Sequence, residues 1–134
     1  MILYRPVGLK ELELIAQADY QAFPPRLPEQ PIFYPVLNFE YAAQIASRWN
    51  TQSNSFAGFV TKFVVADDYV KKFAVQTVGS SIHQELWVPA EELAEFNRHI
   101  IGKISIAAAY YGEKFQGEID PATNLPIGMR SLPS

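Results

Sequence analysis

Residues 59–66 read Phe59-Val60-Thr61-Lys62-Phe63-Val64-Val65-Ala66, and this stretch decides the fold class. Phe59, Thr61, Phe63 and Val65 share one face at strand spacing, while Val60 and Val64 share the other with Lys62. Both faces are largely apolar, so the strand lies inside a sheet rather than at its rim. Upstream, Asn38 is a fair N-cap for a helix through Trp49, with Tyr41, Ala42, Ile45, Ala46 and Trp49 at helical spacing. A polar loop, residues 50–55, joins the two. Downstream, residues 67–73 form a turn or a single helical turn, and residues 73–78 a strand ended by Gly79-Ser80-Ser81. His83–Val88 alternates, with Leu86 and Val88 pointing one way and His83, Glu85 and Trp87 the other. Pro89 then starts a short helix whose first turn is acidic at Glu91 and Glu92. Residues 101–111 return as a strand.

At the other end, Ile2–Arg5 reads as a short strand. Gly8 breaks the chain before a helix with Leu9, Leu12, Ile15 and Ala16 on one stripe. Between Phe23 and Pro35 fall five of the ten prolines: Pro24, Pro25, Pro28, Pro31 and Pro35. Proline fixes φ and removes a donor, so this is an extended, stiff loop. It is either a rigid connector or a wall over a cleft. A short strand at 32–37, interrupted at Pro35, follows it. Helices come early and strands late, which makes the class α+β rather than doubly wound. Residues 1–111 are expected to form one domain. Residues 112–134 hold three Gly and three Pro and are expected to be a loosely packed or disordered tail.

The composition narrows the function. The chain has 134 residues, 49% of them hydrophobic and 19% charged, which excludes a disordered or highly charged protein. A chain this long buries about two-thirds of its unfolded surface. There is no Cys, hence no disulfide, thiolate metal site or cysteine nucleophile. A net charge of −3, with no basic run, argues against nucleic acid as a partner. His83 and His99 lack ligand-like company, so no metal is expected. Charges at Arg5, Lys10, Glu11 and Glu13 break the first apolar stretch, and no window approaches the roughly 18 apolar residues of a membrane helix. A cytoplasmic protein that does not enter membranes is the expectation. GxGxxG, the phosphate loop, HExxH and GxSxG are all missing.

Three features remain that could carry chemistry. Arg5, held extended by Pro6, offers a planar, always-charged fork suited to phosphate or carboxylate; the plainer reading is a surface arginine, or a salt bridge to Glu85. Phe33 and Tyr34 are adjacent on a strand, so one can pack the core while the other lines a cleft; the plainer reading is core packing. His83-x-Glu85-x-Trp87 puts a carboxylate beside an aromatic ring, where it can stabilise developing positive charge; the plainer reading is a solvent-facing strand.

The segments LYRPVGLKELELI, AFPPRLPEQPIFYPVLN, GFVTKF and VQTVG with HQELWVPAEELAEFN resemble small bacterial proteins labelled ADP-ribosylation/crystallin, over about residues 2–111. The crystallin-like ADP-ribosylglycohydrolases are large, helical and magnesium-dependent, whereas this chain is short and strand-rich. Its order of elements instead resembles the ADP-ribosyltransferase fold: an early strand with a basic residue, a helix, an aromatic strand before a second helix, and a late strand carrying Glu. The resemblance implies a split mixed or antiparallel sheet with two main helices and one short helix. It implies NAD as substrate and no metal. Arg5 would hold the pyrophosphate or the nicotinamide ribose, Phe33 or Tyr34 would stack on nicotinamide, and Trp87 would complete the NAD site. Glu85 would be catalytic, with His83 as base or acceptor guide, and a protein is one acceptor. Two positions depart from the pattern. His83 stands where arginine-modifying transferases carry Gln or Glu, and Pro35 where related enzymes often carry a small hydroxyl residue. A non-enzymatic module binding a nucleotide or a protein is the alternative, and a small immunity or accessory protein is a third reading.

Overall fold

In the computed structural model, whose described residues are 1–127, the segment around Phe63 is the middle strand of an antiparallel sheet. Along the chain run β1 (Ile2–Gly8), α1 (Leu9–Gln17), β2 (Ile32–Phe33), α2 (Phe39–Arg48), β3 (Ala57–Val65), α3 (Asp67–Val70), β4 (Val75–Thr77), β5 (Gln84–Leu86), β6 (Val88–Pro89), α4 (Leu93–Arg98), β7 (Ile100–Tyr111), β8 (Ile119–Asp120) and β9 (Leu125–Pro126). The class is α+β, with small antiparallel sheets. Two main helices and one short helix are the sequence expectation; four α-helices form among the described residues. The addition is α3, a single helical turn at Asp67–Val70 within the turn expected at 67–73; α4, which continues a 3₁₀ turn at Ala90–Glu92, is the short helix expected after Pro89. No helix among the described residues is long and apolar enough to cross a membrane.

Strand β3 pairs with β1 on one side and β7 on the other. One of its faces buries Phe59, Phe63 and Val65 against Leu3, Val7, Leu12, Ile15, Phe23, Phe33, Phe96 and Ile104. Rings meet at 4.8 Å between Phe23 and Phe63 and at 5.4 Å between Phe33 and Phe96. Burying each such side chain contributes about 1.5–3 kcal/mol. The other face is covered by α2, through Ala42 and Ala46 on Val60 and Val36. Small side chains let that helix come close. At Gly58 the approach is closest, for a Cβ there would fall on the carbonyl oxygen of Ala46. Helix α2 starts where Asn38 accepts the backbone N–H of Tyr41 at 2.8 Å. It stops at Arg48, one residue short of the expected Trp49, whose side chain is 70% exposed.

The far edge of β1 shapes the site. Strand β1 runs on to Gly8 rather than stopping at Arg5. Pro6 is tolerated because strand N–H groups alternate between edges, and its missing donor faces the edge that β3 does not use. On that edge, among the described residues, β1 is paired only at Tyr4, whose N–H and carbonyl exchange bonds with Val36 at 2.9 and 2.7 Å. Val36 in turn bridges Glu85 of β5. The β4/β5 hairpin is thus joined to the sheet through one residue. The 32–37 segment also pairs with 84–89, as Ile32 with Pro89, Phe33 with Val88 and Val36 with Glu85. In that register Tyr34 stands opposite Trp87. The expected single strand His83–Val88 is therefore two short ones, β5 and β6, parted at Trp87. Pro35 has no N–H to donate, which weakens the ladder at this point.

Past Tyr111, the ring of Phe115 packs on Tyr111 at 4.7 Å, and the Tyr111 hydroxyl donates to the Asn124 carbonyl at 2.7 Å. β8 and β9 pair as a hairpin. The sequence places a loosely packed or disordered tail at 112–134; residues 112–127 hold this hairpin, and 128–134 lie outside the described residues.

Candidate functional site

Where β1 is unpaired beyond Val36, a cavity of about 300 Å³ opens, lined by Arg5, Pro6, Tyr34, Val36, Tyr41, Ile45 and Glu85. Val36 and Glu85 are paired in register with Tyr4, so they share the face that α2 covers. Tyr41 projects from α2, one residue before the Ala42 that packs on the sheet.

Glu85 is the chemical centre of this cavity. It is 7% exposed. One carboxylate oxygen accepts the Tyr41 hydroxyl at 2.7 Å, and the other accepts the Trp87 indole N–H at 2.9 Å. Both donors are neutral, and no cation pairs with Glu85 among the described residues. Burial, then the hydrogen bond to Glu85 and its charge, pushes the Tyr41 hydroxyl up to about 12. Tyr41 therefore remains a donor throughout the neutral range. The Trp87 indole is pinned by its N–H yet 47% exposed, and Tyr34 opposite is 40% exposed. Two ring faces are thus open to solvent beside a buried carboxylate.

The other candidates fall differently. Phe33 is fully buried and lies under the guanidinium of Arg5, 4.6 Å from ring centre to Cζ. It is therefore a core residue supporting Arg5, and Tyr34 alone of that aromatic pair reaches the cavity. Arg5 is not a strand-end side chain. It alternates with Leu3 and Val7 onto the core face of β1, the face opposite Glu85. Its fork is closed by Glu11 of α1, with Nε to Oε2 at 2.7 Å and a second terminal nitrogen to Oε1 at 3.0 Å. The remaining terminal nitrogen reaches the Tyr34 carbonyl at 3.5 Å. The salt bridge to Glu85 considered from sequence does not form. His83 does not line the cavity. Its ring stacks on Tyr41 at 4.4 Å, and its Nε2 bonds the Gln44 side-chain oxygen at 3.0 Å. That places His83 behind Tyr41, where it steadies the ring that holds Glu85.

Three contributors are not singled out by the sequence reading. Tyr41 and Gln44 belong to α2, and their roles appear only when α2 docks on β5. Glu11 had a signal: Leu3-x-Arg5-x-Val7 puts Arg5 on an apolar face, where a guanidinium needs a nearby carboxylate. Among the described residues no group of three or more His, Asp or Glu side chains converges as a metal site would.

Comparison with known proteins finds no matching family model, no matching curated protein and no matching solved structure.

Proposed function

We propose that the chain is an ADP-ribosyltransferase-like protein that binds NAD at this cavity and cleaves the bond between nicotinamide and ribose. One observation carries the reading. Tyr34 and Glu85, far apart in sequence, line one cavity in which the carboxylate is buried, doubly hydrogen-bonded and, among the described residues, unpaired with any cation. Such a carboxylate favours positive charge developing beside it. As the ribose–nitrogen bond breaks, its electron pair leaves with nicotinamide, and the ribose carbon becomes electron-poor. An acceptor nucleophile or water then bonds to that carbon and loses its proton. Glu85 faces the positive centre, and Tyr34 and Trp87 offer ring faces to nicotinamide. A cavity of about 300 Å³ is at the small end for ligand sites, so it takes the nicotinamide–ribose end and leaves the adenosine end outside.

Incubation of the pure protein with NAD, with free nicotinamide as readout, tests this. Nicotinamide should appear, and Glu85→Gln should slow its release about 100-fold or more. No release above the protein-free rate overturns the enzymatic reading. A second reading, a non-enzymatic module binding a nucleotide or a protein partner, is favoured by Arg5, whose fork is occupied by Glu11 and which mounts on the opposite sheet face. Calorimetry showing NAD or ADP-ribose binding without turnover selects it.

A further inference from the structure

We propose that the outer edge of β7, at residues 108–111, docks an extended peptide segment of a partner protein, which adds to the sheet as a further strand. The main sheet runs β1, β3, β7, so β7 stands at its rim, and among the described residues β7 pairs only with β3. The ladder fixes which backbone groups face outward. The Gly112 N–H donates to the Phe56 carbonyl at 2.9 Å, on the β3 side. Bonding alternates along an antiparallel strand, and from Ala108 to Tyr111 the register is regular. Ala108 and Tyr110 therefore bond to β3, while Ala109 and Tyr111 turn their N–H and C=O groups outward. Among the described residues no backbone group on that side meets them.

Toward its start the same edge is closed. The Ile104 N–H, also outward, is taken by the Tyr20 carbonyl at 2.7 Å. Beside it, Lys103 Nζ donates to the Asp19 carbonyl at 2.9 Å and to the Asp19 carboxylate at 2.7 Å. A bulge at Ala107 then interrupts the ladder. Past the bulge, Ala108-Ala109-Tyr110-Tyr111 carries neither charge nor proline, the side chains that usually guard an exposed edge.

A cavity of about 660 Å³ lies along the open stretch and shares no lining residue with the Glu85 cavity. Ala109 and Tyr111 line it, yet their side chains pack on the aromatic core of the opposite face, so they present backbone to it. Tyr110 belongs to the face that α2 covers, and Ser47 of α2, with the 3₁₀ turn at Asn50–Gln52, forms the facing wall. The edge itself specifies its occupant. Outward N–H and C=O groups in one line are met by another extended backbone, and the cavity beside them receives every second side chain of that strand. Ser47 and Gln52 make the wall polar and neutral, and Glu113 and Lys114, just beyond β7, carry opposite charges that cancel. The segment that fits is therefore uncharged and rich in strand formers such as Val and Thr.

Amide hydrogen exchange by NMR on the full chain, with the peptide acetyl-TVTVTVT-amide as probe, is the test. In the free protein the amides of Ala109 and Tyr111 should exchange much faster than those of Ala108 and Tyr110. The peptide should slow both outward amides about tenfold or more. A copy of the peptide N-methylated at every residue keeps the side chains but has no backbone donor, and should have no effect. Ala109→Pro removes one outward donor and no bond to β3, as Pro6 does on the outer edge of β1. It should weaken peptide binding in calorimetry about tenfold or more, and thermal melting reports its folding separately. Should that variant not fold, the N-methylated copy on the wild type still decides. Outward amides that are already protected in the free chain overturn the proposal, as does equal binding of the N-methylated copy or no protection at millimolar peptide. Protection that rises with protein concentration, together with a dimer mass in light scattering, assigns the edge to a second copy and overturns the peptide partner.

Discussion

Replacing Glu85 by Gln separates the two things this carboxylate does. In the native site it accepts two hydrogen bonds from neutral donors, at 2.7 Å from Tyr41 and 2.9 Å from Trp87. Each is charge-assisted, a class worth about 1.5–3 kcal/mol. The amide of Gln keeps one acceptor, which serves Tyr41 as a weaker neutral bond. Its NH₂ then faces the Trp87 N–H, donor against donor. Lost bonding therefore amounts to roughly 2–4 kcal/mol. Against this, the neutral amide no longer holds a charge out of water without a cation, which returns part of a desolvation cost. Because Glu85 lines an open cavity, that return is the smaller effect. The expected net cost is about 1–2 kcal/mol, or a fall in Tm of roughly 3–6 °C for a chain this size. Melting followed by tryptophan fluorescence reads it. A double-mutant cycle with Tyr41→Phe should show coupling of about 1 kcal/mol, since the Tyr41 bond is charged in one background and neutral in the other. A rise in Tm on Glu85→Gln would refute the reasoning, for it would mean that desolvation outweighs both bonds.

Other perturbations test the frame around the site. Gly58→Ala should cost about 2–3 kcal/mol in urea denaturation, because its Cβ meets the backbone carbonyl of Ala46 and α2 must retreat from β3; a cost near zero would show that α2 is not held against the sheet. In an alkaline titration of tyrosinate absorbance, Tyr41 should ionise at about 12 rather than at 10.0. Its folded value is raised, so the stability it brings is complete below the ordinary value and lost as pH climbs through the folded one. The stability gap between wild type and Tyr41→Phe should therefore hold to about pH 10 and close toward pH 12. Glu92 titrates below the ordinary 4.5, first because the Tyr69 hydroxyl donates to it and then because Lys72 does. Its contribution is present above that ordinary value and lost as pH falls, so the difference in Tm between wild type and Glu92→Gln should shrink under acid conditions.

Much of the frame is legible from sequence because local patterns survive folding. Phe59–Ala66 is apolar on both sides, since β3 is covered by the aromatic core on one face and by α2 on the other. Asn38 announces α2 because a cap bonds within its own first turn. Strand alternation also puts Glu85 and Trp87 on one side and separates Tyr34 from Phe33. What alternation does not reveal is where a strand stops being paired. The cavity exists because Pro35 interrupts the ladder and Pro6 leaves an edge open, and two prolines far apart become one feature only through the pairing of Tyr4 with Val36. Arginine shows the difference most sharply. From sequence, Arg5 looks available, being charged and next to a proline, while Arg26 is lost in a run without periodicity. In the folded chain Arg5 is committed to Glu11, and the buried Nε of Arg26 is unanswered. Residue type therefore identifies which side chains could bind an anion. Only the hydrogen bonds of the folded protein show that Arg5 has already found its anion in Glu11.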